Sequence, residues 1–236
     1  MFVRSLPRFA DLGGFLDHLG RNDEVATITE PVDMRLELTE IHRRVIASGG
    51  PVLRVSHPVT NRGPADMAVV TNLFGTRERV AMGLGTDVAG LEALGEFMAF
   101  LRSPKPPKSI GAARDLLPVA RAALNTRPRA TRDITPWVDL PLDLGRLPIQ
   151  TCWPNDAGPL ITWPLVITRS PGPDDFASYN IGVYRMQVIG QNAAIMRWLP
   201  MRGGAQHHRQ WLKTGEPMPV AVVIGADPAT MLSAVM

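Results

Sequence analysis

S-Y-N-I-G-V-Y-R-M-Q-V-I-G-Q-N-A-A-I-M-R-W-L-P-M-R-G-G, residues Ser178 to Gly204, is the stretch on which the fold turns. Two apolar-rich runs flank a short connection, Gly190-Gln191-Asn192. Val, Ile and Tyr favour strand, and Gly and Asn favour a tight reversal. The stretch therefore predicts a β-hairpin with a three-residue loop or something close to it. Arg185, Arg197 and Arg202 lie on or just past it, Gly203-Gly204 closes it, and no acid falls inside it. A merely solvated face would carry charges of both signs. Guanidinium forks beside bare backbone N–H groups suit a phosphate or a carboxylate.

Within the first run, Asn180 and Arg185 are five residues apart. On a regular strand such residues point to opposite faces. They address one ligand only if the strand bends, and Gly182 between them is the expected place for a bend or bulge. Periodicity alone leaves a functional and a purely structural reading of this run equally open.

The chain has 236 residues, 45% hydrophobic and 20% charged, enough for a real core in one or two domains. No apolar run approaches the ~18 to 20 residues of a membrane span, and the first residues lack a signal-type apolar region. A single Cys152 leaves no disulfide framework, which fits a reducing cytoplasm. Arg outnumbers Lys 22 to three, but the cations are scattered and form no basic stripe interleaved with aromatics. Nucleic acid is not an expected partner. For the surface arginines, a GC-rich genome is a sufficient explanation.

Working back to the start, Phe9 to Gly20 predicts a helix and Glu24 to Thr29 a strand. Leu36 to Ala47 predicts an amphipathic helix, and Val52 to Val55 and Ala68 to Thr71 predict strands. Thr76 is a candidate N-cap for a helix toward Gly83, and Leu91 to Leu101 predicts another helix. Alternating strands and helices make residues 1–102 an N-terminal α/β domain. Ser103 to Lys108 is Pro-rich and starts a linker that, with a helix at Ala112 to Leu124, fills 103–133. Ile161 to Thr168 predicts one strand, and Ser170 to Asp175 a turn. Gln206 to Leu212 predicts a helix, Val220 to Ile224 a buried strand, and Pro228 to Met236 a helix capped by Asp227.

Most chemical groups in this sequence have an ordinary reading. Cys152 is expected to be a core thiol. His207 and His208, adjacent on a helix and about 100° apart, are expected on its surface. Asp174 and Asp175 are expected to cap a turn, and Glu37 and Glu40 to pair with Arg43 and Arg44.

Three longer segments change the weighting. C-W-P-N-D-A-G-P-L-I-T-W-P-L-V-I-T (Cys152 to Thr168), N-I-G-V-Y-R-M-Q-V-I-G (Asn180 to Gly190) and I-M-R-W-L-P-M-R-G-G-A (Ile195 to Ala205) occur in one order. Together with I-T-E-P-V-D (Ile28 to Asp33), E-I-H-R-R-V (Glu40 to Val45) and T-N-L-F-G-T (Thr71 to Thr76), they resemble the UbiD-type decarboxylases. The likeness spans nearly the whole chain. It is strongest to the branch that decarboxylates 4-hydroxy-3-polyprenylbenzoate in ubiquinone biosynthesis.

The resemblance implies an α+β fold: the N-terminal α/β domain, then a split β-barrel of flavin-reductase type over 134–236, incomplete here. It implies prenylated FMN as cofactor and Mn²⁺ bridging its phosphate, with K⁺ as a further candidate ion. Asn180 matches the metal-binding Asn. Val183, Tyr184, Arg185, Arg197, Trp198, Leu199, Arg202 and Gly203 match cofactor-contacting positions, and Arg185 also matches the arginine of the catalytic acid–base network. Those residue types suit the task, since Asn offers a neutral oxygen to a hard cation. The implied partners are an aromatic carboxylic acid, a flavin prenyltransferase as cofactor source and, in the full-length protein, further copies of itself. The implied location is the cytoplasm, with peripheral contact to the inner membrane as an option. Members of the family are much longer, with their remaining metal ligand and catalytic acids beyond the last residue here. A fragment is therefore expected. The competing reading is a non-catalytic flavin- or phosphate-binding module, or one half of a split enzyme.

Overall fold

The Asp11 carboxylate accepts the Gly14 N–H at 2.7 Å and starts helix α1 (Leu12–Arg21). This cap moves the helix start three residues beyond the expected Phe9, because an acceptor for the free N–H groups fixes where a helix can begin. The computed structural model describes residues 9–103 and 138–235. The expected helix at Ala112 to Leu124 and all of the expected linker except Ser103 lie outside the described residues.

Strand β1 (Val25–Asp33), helix α2 (Glu37–Ala47) and strand β2 (Val52–Thr60) form a βαβ unit. β1 and β2 pair in parallel from Val25↔Val52 to Ile28↔Val55, and again from Pro31↔His57 after a register shift. Pro31 has no N–H for the ladder, and β1 is the edge strand where such a loss is tolerated. Strands β3 (Gly63–Pro64) and β4 (Val69–Thr71) pair antiparallel to β2. Phe15 and Leu19 of α1 pack with Val52, while Leu38 of α2 packs with Val32, Met34 and Val55. Burying each such side chain contributes about 1.5–3 kcal/mol. Thr76 caps α3 (Arg77–Gly83) as expected, its hydroxyl accepting from Arg79 N at 3.2 Å, and Asp87 caps α4 (Val88–Arg102).

The second part holds β5 (Leu160–Ile161), β6 (Leu165–Arg169), β7 (Tyr179–Val183), β8 (Met186–Gly190), β9 (Ala193–Met196), α5 (Gly203–Thr214), β10 (Val220–Val223) and α6 (Pro228–Ser233). Its strands make two open sheets, β10–β6–β7 and β5–β8–β9. The fold is α+β, with open sheets and not a closed barrel among the described residues.

Three sequence expectations are corrected here. The single strand from Ile161 to Thr168 is two strands in different sheets, broken before Leu165 where Pro164 removes a ladder donor. The hairpin is β8–β9 alone, closed by Gln191-Asn192 with Gly190 facing Ala193, so its loop has two residues, not three. β10 is exposed along its length, not buried, because it pairs only with β6 among the described residues.

Several contacts tie the two parts together. Leu36 N donates to Thr151 O, and Thr151 N to Met34 O, each at 2.9 Å. Arg62 pairs with Asp143 at 3.0 Å, and the Phe74 and Trp163 rings lie 5.7 Å apart.

Candidate functional site

The chain leaves β7 at Val183, crosses Tyr184 and Arg185, and enters β8 at Met186 in the other sheet. This break, rather than a bend at Gly182, separates Asn180 from Arg185. Gly182 has a different task. A Cβ there would lie 2.8 Å from Tyr184 Cε2, so the bare backbone makes room for the phenol ring to fold back. Tyr184 is 7% exposed, and its hydroxyl accepts the Gly204 N–H at 3.0 Å.

That bond caps the head of α5. Arg202 at the cap position supplies no side-chain bond to the helix. The N–H groups of Gly203 and Ala205 meet no acceptor among the described residues. The two glycines are required by close approach. A Cβ on Gly203 would collide with Asn180 Oδ1, and one on Gly204 with the Trp198 ring. Trp198 meets Tyr184 edge-on, with centroids 4.9 Å apart, and stacks on His208 at 6.1 Å.

Asn180 pairs with Thr168 across β7 and β6. Its Nδ2 lies 3.5 Å from both Thr168 Oγ1 and the Tyr184 hydroxyl. Thr168 is buried and shares a 3.0 Å bond with His207 Nδ1. His207 is therefore half-buried against β6, not on the helix surface as expected. Burial pushes its imidazole below the ordinary 6.5, against a weaker upward pull from the Thr168 backbone.

The arginines surround this cluster without joining it. The register Met186↔Met196 places Arg185 and Arg197 together at the open end of the β8–β9 hairpin. Arg202 stands at the head of α5. All three are exposed, and none makes an ion pair among the described residues. No hydrogen bond joins Arg185 to Asn180. Val183 pairs with Leu165 in the sheet, and Leu199 is exposed beyond β9.

Two family models match this chain. The 3-octaprenyl-4-hydroxybenzoate carboxy-lyase N-terminal domain covers residues 16–98, and the Rift-related domain of the same carboxy-lyase covers residues 130–236. The chain belongs to the UbiD family. Among similar solved structures is the vanillic acid decarboxylase of Sedimentibacter hydroxybenzoicus in closed form. It has a TM-score of 0.74 and 22% identity, over 97% of this chain and 45% of that one. The UbiD-class enzyme HmfF from Pelotomaculum thermopropionicum in complex with FMN gives 0.66 and 25%, over 92% and 43%. An evolved dimeric form of that UbiD-class enzyme in complex with prFMN gives 0.67 and 26%, over 93% and 45%. The chain thus spans less than half the length of these solved relatives.

The UbiD cofactor can be tested against this geometry. The head of α5 offers free N–H groups, two glycines without room for a Cβ, and an adjoining arginine. This arrangement fits a phosphate. For the metal, Asn180 offers one neutral oxygen, and no group of three His, Cys, Asp or Glu able to hold a metal ion occurs among the described residues. The described residues fit the phosphate and supply only part of a metal shell.

The other titratable groups follow their ordinary readings, except that Cys152 is half-buried rather than in the core and Glu37 does not join the arginine pairing. Burial pushes the Cys152 thiol up, away from reactivity. Asp175 caps a short 3₁₀ turn through Ser178 N at 3.0 Å, and Asp174 accepts the Tyr179 hydroxyl at 2.7 Å. Glu40 pairs with Arg43 and Arg44, but Glu37 instead accepts Asp33 N at 2.7 Å.

Proposed function

We propose that this chain forms the phosphate-binding side of a decarboxylase that removes CO₂ from an aromatic acid with prenylated FMN. The observation that carries the reading is the head of α5, where unpaired N–H groups, Arg202 and the Gly203–Asn180 approach meet beside Arg185 and Arg197. Membership in the UbiD family and likeness to FMN- and prFMN-bound relatives support it.

In this reading Gly203 and Ala205 N–H groups, with Arg197 and Arg202, hold the cofactor phosphate. Asn180 offers its oxygen to a divalent cation, Mn²⁺, beside that phosphate, and Trp198 and Leu199 flank the cofactor. Arg185 holds the substrate carboxylate by a bidentate pair until the C–C bond breaks. Bound prenylated FMN supplies the electron sink for that step. The substrate proposed is a 4-hydroxy-3-polyprenylbenzoate-like acid of ubiquinone biosynthesis. A flavin prenyltransferase would supply the cofactor, and the whole enzyme would be a cytoplasmic oligomer.

A second reading is a flavin- or phosphate-binding module without turnover. It is favoured by the lack of any Asp or Glu hydrogen-bonded to Asn180, Tyr184, Trp198 or Gly203 among the described residues. The deciding experiment titrates FMN into the purified chain, then adds the separately expressed C-terminal half of a relative with prenylated FMN and an aryl acid. CO₂ release supports the enzyme reading. FMN binding without CO₂ leaves the module, and absence of FMN binding sinks both.

A further inference from the structure

The two bonds from Asn180 Nδ2, to Thr168 Oγ1 and to the Tyr184 hydroxyl, are long at 3.5 Å each. A hydroxyl can accept from the NH₂ or donate to the oxygen, so these contacts hold the amide in place while the helix head decides its sense. The oxygen end stays against Gly203, where a Cβ would strike Oδ1. The head of a helix is the positive end of its dipole, so it attracts the amide oxygen and repels the NH₂. The family resemblance implies that Tyr184 touches the cofactor, yet its side chain is buried and its hydroxyl is engaged with Gly204.

We infer that Tyr184 is a positioning residue: its hydroxyl ties the Gly204 N–H to the Asn180 amide and so presents Asn180 Oδ1 at the head of α5. The geometry stands on its own, while its consequence for ligand binding rests on the phosphate-site reading above. The ring is held independently of its oxygen, between Gly182 and the edge of Trp198. Removing the hydroxyl alone therefore preserves the packing.

The test compares the wild-type chain with Tyr184→Phe, using nitrogen-15 labelled protein. In Tyr184→Phe, exchange of the Gly204 amide rises at least about tenfold and the Asn180 side-chain NH₂ resonances move. The melting midpoint stays within about 4 °C of wild type. Mn²⁺ affinity in the presence of FMN falls roughly ten- to hundredfold, the usual effect of losing a group that orients a ligand. If wild type binds neither FMN nor Mn²⁺, the phosphate-site reading fails, and the resonances alone decide the role of Tyr184. Unchanged Gly204 exchange with unchanged Asn180 resonances overturns the inference. So does unchanged Mn²⁺ affinity in a chain that binds it. Should Tyr184→Phe not fold, a wild-type Gly204 amide that exchanges as fast as an exposed one overturns it equally.

Discussion

Arg79 lies 1% exposed and donates from Nη1 to Glu24 Oε2 at 3.0 Å, joining α3 to the start of β1. Its Nη2 donates to Gly50 O at 3.0 Å, while its Nε has no partner. Removing one member of a buried pair costs more than the pair contributes, because the other charge is left desolvated. Glu24 is itself 37% exposed and Arg79 keeps its bond to Gly50 O, so Glu24→Ala is expected to lower stability by about 1.5–3 kcal/mol. Arg79→Met, which removes the buried charge itself, should cost less. Urea denaturation at constant slope measures both. An equal loss in the two variants would show that lost packing, not the stranded guanidinium, sets the cost.

Gly203→Ala puts a methyl group against Asn180 Oδ1, and Gly204→Ala puts one against the Trp198 ring. Ring and helix must separate in the second case, at an overpacking cost of roughly 1–3 kcal/mol. In the first, the amide can swing away at little cost to the fold but with loss of its orientation. Gly204→Ala is therefore expected to lower the melting midpoint. Gly203→Ala should instead weaken FMN binding, followed by flavin fluorescence. Reversed effects would mean that Asn180, not Trp198, is the rigid neighbour.

Arg185 and Arg197 stand side by side at the end of the β8–β9 hairpin without ion pairs among the described residues. If they hold an anion, each contributes about 1.5–3 kcal/mol as a hydrogen bond to a charged group. Arg197→Ala should then raise the FMN dissociation constant roughly ten- to hundredfold. Arg197→Lys should recover part of it, since the charge returns without the fork. Added salt should weaken wild-type binding more than binding by the variant. Wild-type affinity that is flat with salt would remove the guanidiniums from the site.

What could be read in advance follows physical range. The caps at Thr76, Asp175 and Asp227 were legible because a side chain and its N–H partner lie three residues apart. The βαβ start was legible from hydrophobic period. The sheet change at Tyr184–Arg185 was not, because Tyr184 is anchored to Gly204, 20 residues away. His207 was misplaced on the surface because its partner Thr168 is 39 residues away. The Pro164 break carries a sequence signal of its own. It sits inside an apolar run, where a proline argues against a single strand.

His42 and His207 make stability depend on pH in one direction. Burial pushes both imidazoles below the ordinary 6.5, and His42 shares a 2.6 Å bond with Thr71 Oγ1. Near pH 6 the unfolded chain then binds more protons than the folded one, so stability rises with pH. The contribution is complete above the unfolded value of 6.5 and is lost as the pH falls below it toward the depressed folded values. The melting midpoint should be level above about pH 7 and decline between about pH 6.5 and 5. His42→Gln with His207→Gln should flatten that decline. A slope that survives the double substitution would assign it to carboxylates.

β10 hydrogen-bonds only to β6 among the described residues, and Val220, Val222, Val223 and Ile224 are exposed along it. Its other edge presents strand N–H and C=O groups beside β-branched side chains. Such an edge templates pairing with another chain unless a charge, a proline or a covering element blunts it. Ile224, at 57% exposed, and Val220, at 40%, sit where a cation would be solvated without disturbing Val166 in β6. The 236-residue chain is therefore expected to self-associate with rising concentration in sedimentation velocity. Val220→Lys with Ile224→Lys should shift it toward monomer while leaving the far-ultraviolet dichroism unchanged. A wild-type chain that stays monomeric at all concentrations would show that the edge is already covered. In that case the double lysine variant should lower the melting midpoint, because the covering element would lose its apolar contact.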